Sequence, residues 1–226
     1  MALKKFANAL NEKGNEGEII KTIIISIVVG LAAAALVYFF IIKNNPALSK
    51  YSYYLFIAAV SYGFLVSSVK YLKAYRAFSC MSGMMIGMTI GMESGFLAGM
   101  FIGATNGMFF GGIFGIVIGC LFGIWTGSCC GVMGFMEGIM AGFMGGLMGA
   151  MTSVMLLNDH LNIAVAFFAL ICIIILVSLD YMVFQDTKER ESDRKDDHFI
   201  TLIISLVLMA STAWMILYGP RGGVFI

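Results

Sequence analysis

Charge is scarce in this chain. Only 12% of its 226 residues are Asp, Glu, Lys or Arg, against about a quarter in an ordinary soluble domain. That leaves no room for a separate water-soluble domain. Lys and Arg number 14 against 13 Asp and Glu, for a net charge of +1. No basic face exists, which argues against a nucleic-acid partner. Histidine is rarer still, with 2 residues, His160 and His198, and the tetrahedral Cys/His spacing of a zinc site is missing. The 5 cysteines, Cys80, Cys120, Cys129, Cys130 and Cys172, fall in or beside apolar segments. They do not resemble the framework of a secreted disulfide scaffold. No cleavable signal peptide is evident, since the first 18 residues are polar and no small-residue cleavage site follows a short apolar core. P-loops, dinucleotide fingerprints and nucleophile–base pairs are also lacking. An enzyme is the least favoured reading.

What is abundant is apolar surface, glycine and methionine. Hydrophobic residues make up 60% of the chain. Gly83, Gly87, Gly91, Gly95, Gly99, Gly103, Gly107, Gly111, Gly115, Gly119, Gly123, Gly127 and Gly131 recur at every fourth position. The ladder slips by one and continues as Gly134, Gly138, Gly142 and Gly146. Residues Met81 to Met155 hold 14 of the 18 methionines. Glycine is costly in a water-soluble helix. In a bilayer the balance changes, because glycine at fourth positions lets two backbones nearly touch. The spacing reads as glycine-zipper packing in lipid.

Several apolar runs reach the roughly 20 residues that span a bilayer. The expected organisation is an N-terminal interfacial segment (1–18), two transmembrane helices (19–77), a Gly/Met-rich core (78–157), two further spans with a charged loop at 185–198 (158–218), and a tail (219–226). In the first segment, Leu3, Phe6, Ala7 and Leu10 stand at helical spacing beside Lys4, Lys5 and Lys13, the pattern of a helix lying on the membrane surface; a frayed tail is the alternative. Ile19–Ile42 is the first span, ended by Lys43-Asn44-Asn45-Pro46. The second, from Tyr51 to about Leu72, is flanked by Tyr51, Tyr53 and Tyr54 at one interface and Tyr71 and Tyr75 at the other. As one helix the glycine region would far exceed the roughly 30 Å hydrocarbon core. Reversals near Ala104-Thr105-Asn106-Gly107 and Thr126-Gly127-Ser128 divide it into helices over about 80–103, 107–125 and 129–157. Asn158-Asp159-His160 breaks the chain again, before spans over Leu161–Phe184 and Phe199–Tyr218.

Seven spans with the N-terminus inside place Lys4, Lys5, Lys13, Lys21, Lys70, Lys73, Arg76, Lys188, Arg190, Arg194 and Lys195 on the inner side, and Lys43, Lys50 and Arg221 on the outer. This fits the positive-inside rule. Two crossings of the glycine region would move the Lys188–Lys195 loop outside. Parity therefore favours three crossings, or one with a re-entrant hairpin. The expected class is an all-α, polytopic transmembrane helix bundle.

On a helix over Cys129–Met155, with Met136 at zero and 100° per residue, Met133, Met140, Met144, Met148, Met151 and Met155 fall within about 40–120°. Glu137, Cys129 and Cys130 share that third of the circumference. Gly131, Gly134, Gly138, Gly142, Gly145, Gly146 and Gly149 occupy a separate arc from about 160° to 280°. The helix from Cys80 repeats this loosely, with Met81, Met84, Met85, Met88, Met92 and Met100 spread over about 160°. There Glu93 follows Met92 as Glu137 follows Met136, and Gly87/Gly131 and Met100/Met144 match at the same offset, which raises the question of an internal duplication. A carboxyl group inside an apolar helix is costly and usually faces a cavity or partner, so Glu93 and Glu137 are candidate ion-pathway residues. Interhelical hydrogen bonding is their bland reading. Methionine, likewise, is often only a flexible filler.

If the stripe binds a ligand, thioether and thiolate favour Cu(I). The candidate metal ligands are Met92, Met133, Met136, Met140, Met144, Met148, Cys129 and Cys130, with the two acids balancing charge along an interior route. His160 and His198 fall on opposite sides and cannot cooperate. Asp180, near the inner end of the sixth span, reads as interfacial.

The block GFLAGMFIGATNGMFFGGIFGIVIGCLFGIWTGSCCGVMGFMEGIMAGFMGGLMGAMTSVML resembles a group of Gly/Met-rich bacterial membrane proteins that sometimes occur joined to, or beside, cupredoxin-like copper proteins. The resemblance covers about residues 80–160 and implies a copper context and a copper-carrying partner; no cupredoxin domain is attached here. Met84-x-x-x-Met88 and Met140-x-x-x-Met144, with the glycine ladder, are also similar to the spans of Ctr-type copper-uptake transporters, which have three spans instead of seven. Three functions are therefore expected, the first as the leading reading and the other two as its alternatives. One is Cu(I) binding or transport in a bacterial or archaeal cytoplasmic membrane. Another is a metal-free channel or carrier using Glu93 and Glu137. The last is a structural module that assembles with itself or another membrane protein through Gly87, Gly91, Gly95, Gly99, Gly103, Gly107, Gly111, Gly115, Gly119, Gly123, Gly127, Gly131, Gly138 and Gly142.

Overall fold

The computed structural model describes residues 17–39, 52–74, 80–128, 131–158, 160–187 and 198–219. These form α1 (Gly17–Val37), α2 (Ser52–Ala74), α3 (Cys80–Asn106), α4 (Met108–Gly127), α5 (Gly131–Met155), α6 (Leu161–Thr187) and α7 (His198–Tyr218), with no strand among the described residues. By length and composition α2 to α6 can each cross a membrane, and α1 and α7 carry the shorter apolar stretches Ile24–Val37 and Ile203–Tyr218. The chain is an all-helical integral membrane protein. The surface-helix residues Leu3 to Lys13, the Lys43–Pro46 break, the 188–197 part of the charged loop and the tail beyond Gly219 lie outside the described residues.

Helix direction alternates along the chain. A Cβ on Gly30 would approach Ala59 and one on Gly63 would approach Ile27, so α1 and α2 are antiparallel. Tyr54 Oη donates to Asn162 Oδ1 at 2.7 Å and Ser68 Oγ to Asp180 Oδ2 at 3.0 Å, which makes α2 and α6 parallel. The Asn106 amide, at the end of α3, donates to the Met215 carbonyl at 2.6 Å, near the end of α7.

The tightest packing joins α3, α4 and α5. Their glycines meet in successive levels: Gly87 with Gly127 and Gly134, Gly91 with Gly123 and Gly138, Gly99 with Gly115 and Gly146, Gly103 with Gly111 and Ala150. Each step of four up α3 meets a step of four down α4 and four up α5. A methyl group built on Gly115 would lie 2.8 Å from the Cα atoms of both Gly146 and Gly99. Backbone therefore touches backbone, the close van der Waals approach that holds helices together where lipid removes the hydrophobic drive between them. A second row, Gly145 and Gly149, lies against the main chain at Met92 and Phe96 of α3.

Two glycines of the ladder do other work. Gly107 is the single non-helical residue between α3 and α4, with φ 106°. Gly131 has φ 72° at the start of α5 and open space where a Cβ would be. Both are turn residues, correcting their assignment to helix packing; a left-handed φ is what glycine adopts without steric cost. The ladder slips by one where the chain turns between α4 and α5, since a new helix need not keep the old phase. Helix α3 runs past residue 103 to Asn106, with the Thr105 hydroxyl bonded back to Phe101 and Ile102 carbonyls.

Helices α2, α6 and α7 cover α3, and α1 packs on α2 and α7. The core between them holds Tyr62, Leu65, Ile90, Leu97, Phe101, Leu176 and Met209, all essentially inaccessible. Ile163, Phe167, Ile174 and Trp214 face outward, so the bundle presents an apolar exterior, as hydrocarbon requires.

Candidate functional site

Glu93 is the central residue of the 27-residue helix α3. About three and a half turns of α-helix on either side place it about 20 Å from each end. It is 5% exposed, and neither carboxyl oxygen has a hydrogen-bond partner among the described residues. Its face of α3 continues through Ile90 and Leu97, both buried, at the three- and four-residue spacings that put side chains on one side of a helix. Gly91 and Gly95 turn instead to α4 and α5. The acid is therefore directed away from the glycine-packed trio and toward the covering helices.

There it meets α6. Asp180 and Cys172 both lie within electrostatic reach of Glu93. Asp180 is 8% exposed; its Oδ2 accepts the bond from Ser68 and its Oδ1 has no partner among the described residues. Asp180 lies three residues from the end of the apolar stretch Leu161–Val183, where the interfacial reading put it, but it is buried among the helices. Leu176 is buried one turn from each of Cys172 and Asp180. Toward the opposite end of α3 the Tyr62 ring packs edge-on against Phe101, centroids 5.9 Å apart, and both rings are wholly buried. Glu93, Asp180 and the Ser68 hydroxyl are thus buried in apolar surroundings, with the edge-on Tyr62–Phe101 pair toward the far end of α3. Two bare anions cannot share such a place, because removing one charge from water already costs several kcal/mol. A proton or a bound cation has to offset at least one of them.

The other residues singled out in the sequence lie elsewhere. Glu137 is half-buried on α5 and does not join Glu93, whose neighbouring acid is Asp180. Met133, Met136, Met140, Met144 and Met148 are exposed on the outer face of α5, and Met92 on that of α3. The buried side of α5 is Gly134, Gly138, Ala141, Gly142, Gly145, Gly146, Gly149, Ala150 and Ser153. The expectation that the sulfur atoms line an interior route is thereby corrected: in the protomer they face outward. The physical reason is that glycine offers the closest approach, so the glycine arc takes the inside and the bulky thioethers are left outside. Met100, included in the looser α3 stripe, is buried. Cys129 and Cys130 lie outside the described residues. Cys120 turns its thiol toward the Ile139 carbonyl at 3.5 Å, across the α4–α5 contact.

Ser68 was missed by sequence reasoning and Asp180 was read only as interfacial, although a signal for the acid existed. Asp180 is the one acid within the apolar run Leu161–Phe184, the same oddity that marks Glu93. No protein-family model, curated protein or solved structure matches this chain.

Proposed function

We propose that the protein is a cation channel or carrier whose route passes Glu93, midway along α3, and Asp180, nearer the end of α6. The observation that carries this reading is the Glu93 carboxyl, central in α3, buried, and unpartnered at both oxygens among the described residues. An ionisable group at that depth is expensive and is retained where it faces a partner or an ion route. The second acid, on a different helix, gives the site its capacity to bind positive charge. The setting implied by the resemblance of residues 80–160 is the cytoplasmic membrane of a bacterium or archaeon.

Cu(I) transport along the methionine stripe has less support. Its thioethers turn outward, so a route between them requires a second molecule to enclose it. The glycine faces that would allow such an approach are occupied among α3, α4 and α5. Self-assembly through the ladder meets the same objection.

The test is ion flux in liposomes reconstituted with the purified protein, following H⁺, Na⁺ and K⁺. Glu93→Gln and Asp180→Asn should abolish the flux while the helical content and melting of the protein are kept. Unchanged flux in both variants removes the pair from the function.

A further inference from the structure

We propose that the outer face of α5 is a docking surface for a transmembrane helix of another protein, one that carries a lysine or arginine at the depth of Glu137.

The face is uncovered. Of the described helices, α3 and α4 are the ones that pack on α5, and both meet its glycine side. Away from that side Met133, Met136, Met140, Met144, Met148 and Met151 are exposed, at steps of three and four residues. The make-up of this face sets it apart. Helix α4 turns Ile113, Val117 and Leu121 outward, and α6 turns Ile163, Leu170 and Ile174. Those are branched aliphatic side chains, and acyl chains need nothing more. Methionine is unbranched with three rotatable bonds, so it moulds to the helix laid on it, and it is over-used at surfaces that bind varied partners.

An acid borders that row. Glu137 stands six residues after Gly131, about 9 Å of helix. Helix α5, with 25 residues, is about 7 Å longer than a hydrocarbon core of roughly 30 Å. With about 4 Å projecting at each end, Glu137 falls about 5 Å inside the hydrocarbon. Its place around the helix follows from the contacts of α5 with α3. A Cβ on Gly149 would meet the main chain of Phe96, and one on Gly145 that of Met92. Four residues down α5 match four down α3, so Ala141 falls level with Met88 and Glu137 with Met84. Ala141 is buried and Glu137 half-buried. The row thus emerges from the α3–α5 seam at Glu137, with Met84 and Met88 of α3 on one side and Met133, Met140 and Met144 of α5 on the other.

Charge complementarity selects the occupant. No hydrogen bond or ion pair reaches Glu137 among the described residues. Helices α3, α4 and α5 contain no Lys, Arg or His, so the helices packed around it have no cation to give. A carboxylate left against acyl chains is costly, and ionisable groups at membrane depth pair with one another. A second copy docked face to face would set Glu137 against Glu137, because a two-fold interface uses the same patch on both subunits, and like charges oppose that contact. Lipid headgroups stay at the interface, outside the hydrocarbon. A foreign helix with one Lys or Arg reaches the depth and supplies the charge. The methionines then provide contact area without dictating the partner's sequence, and Glu137 provides the selection. This docking is independent of the ion route proposed above.

The experiment is resonance energy transfer between the labelled full-length protein and synthetic leucine–alanine transmembrane peptides in phosphatidylcholine liposomes. One peptide carries a lysine about 5 Å inside the hydrocarbon; its twin carries a glutamine there. The wild type should take the lysine peptide at least about tenfold more tightly than the twin. Glu137→Gln should lose that difference, and Glu137→Asp should retain part of it. The comparison of the two peptides on the wild type needs no variant, so it stands even where Glu137→Gln fails to fold. Equal association of the two peptides, or a lysine preference that survives in Glu137→Gln, overturns the docking surface. A second arm mixes donor-labelled and acceptor-labelled copies without peptide. Self-association that Glu137→Gln abolishes overturns the foreign partner and assigns the face to a second copy.

Discussion

Ser68 and Asp180 are 112 positions apart in the chain, and the 3.0 Å bond between them ties α2 to α6. It is the sole hydrogen bond to the Asp180 carboxyl among the described residues. Ser68→Ala leaves a buried acceptor without its donor, a loss of about 1–3 kcal/mol. The expected result is a lower melting temperature in detergent and slower cation flux. Ser68→Thr keeps the hydroxyl and should retain more of both. A Ser68→Ala protein that melts and conducts as wild type would show that the bond holds nothing in place.

Gly115 and Gly112 differ by three residues on α4 and should respond oppositely to alanine. At Gly115 the new methyl would stand 2.8 Å from two α-carbons, and main chain cannot turn aside as a side chain can. Gly115→Ala should therefore destabilise by about 1–3 kcal/mol or more. At Gly112 the nearest atom is Leu147 Cδ2 at 3.4 Å, the far end of a flexible side chain, and the next is Ala150 Cβ at 4.0 Å. Alanine there gains up to about 1 kcal/mol of helix propensity. Thermal melting of the two variants side by side checks the pair.

The helices themselves were legible in the sequence because membrane crossing imposes length and composition. The turn at Gly107 was signalled by Asn106 and by the excess length of the glycine region, and the turn after Gly127 by Thr126 and Ser128. Which side of each helix faces inward was only half legible. Fourth-residue glycine spacing identified the contact side of α5, but methionine is apolar in either place, so nothing in Met136, Met140, Met144 and Met148 announced an outward face. The Glu93–Asp180 relationship was hidden for another reason. Asp180 stands close to a charged loop in the sequence, and counting along the chain put it at the interface. Only the fold brings Ser68 of α2 against it and buries it among the helices.

The outward stripe yields a prediction of its own. Met136, Met140, Met144 and Met148 changed together to Leu should leave folding and cation flux close to wild type. Each swap conserves volume and costs under about 1.5 kcal/mol even in a packed core, and these residues are exposed. Cu(I) content of protein purified after copper loading is measured on the same variant. Copper bound by the wild type and lost from the Leu variant would restore the stripe as a metal site, formed on the outside of the bundle.

The two acids of the glycine region can be set against each other. Glu93 is buried with Asp180 within its reach; Glu137 is half-buried on α5, the helix that carries the exposed methionines. Removing a group that carries the ion stops transport, whereas removing a partly solvated or lipid-edge carboxyl relieves a local cost and little else. Glu137→Gln should conduct within about twofold of wild type and melt no lower. Glu93→Gln should lose flux, and because it replaces an unpartnered buried carboxyl with a neutral amide of the same shape, its melting temperature should hold or rise. The paired measurement discriminates sharply. Flux lost from the Glu137 variant and kept in the Glu93 variant would move the ion route out of the core and onto the methionine face of α5, where Met140 and Met144 would then line it.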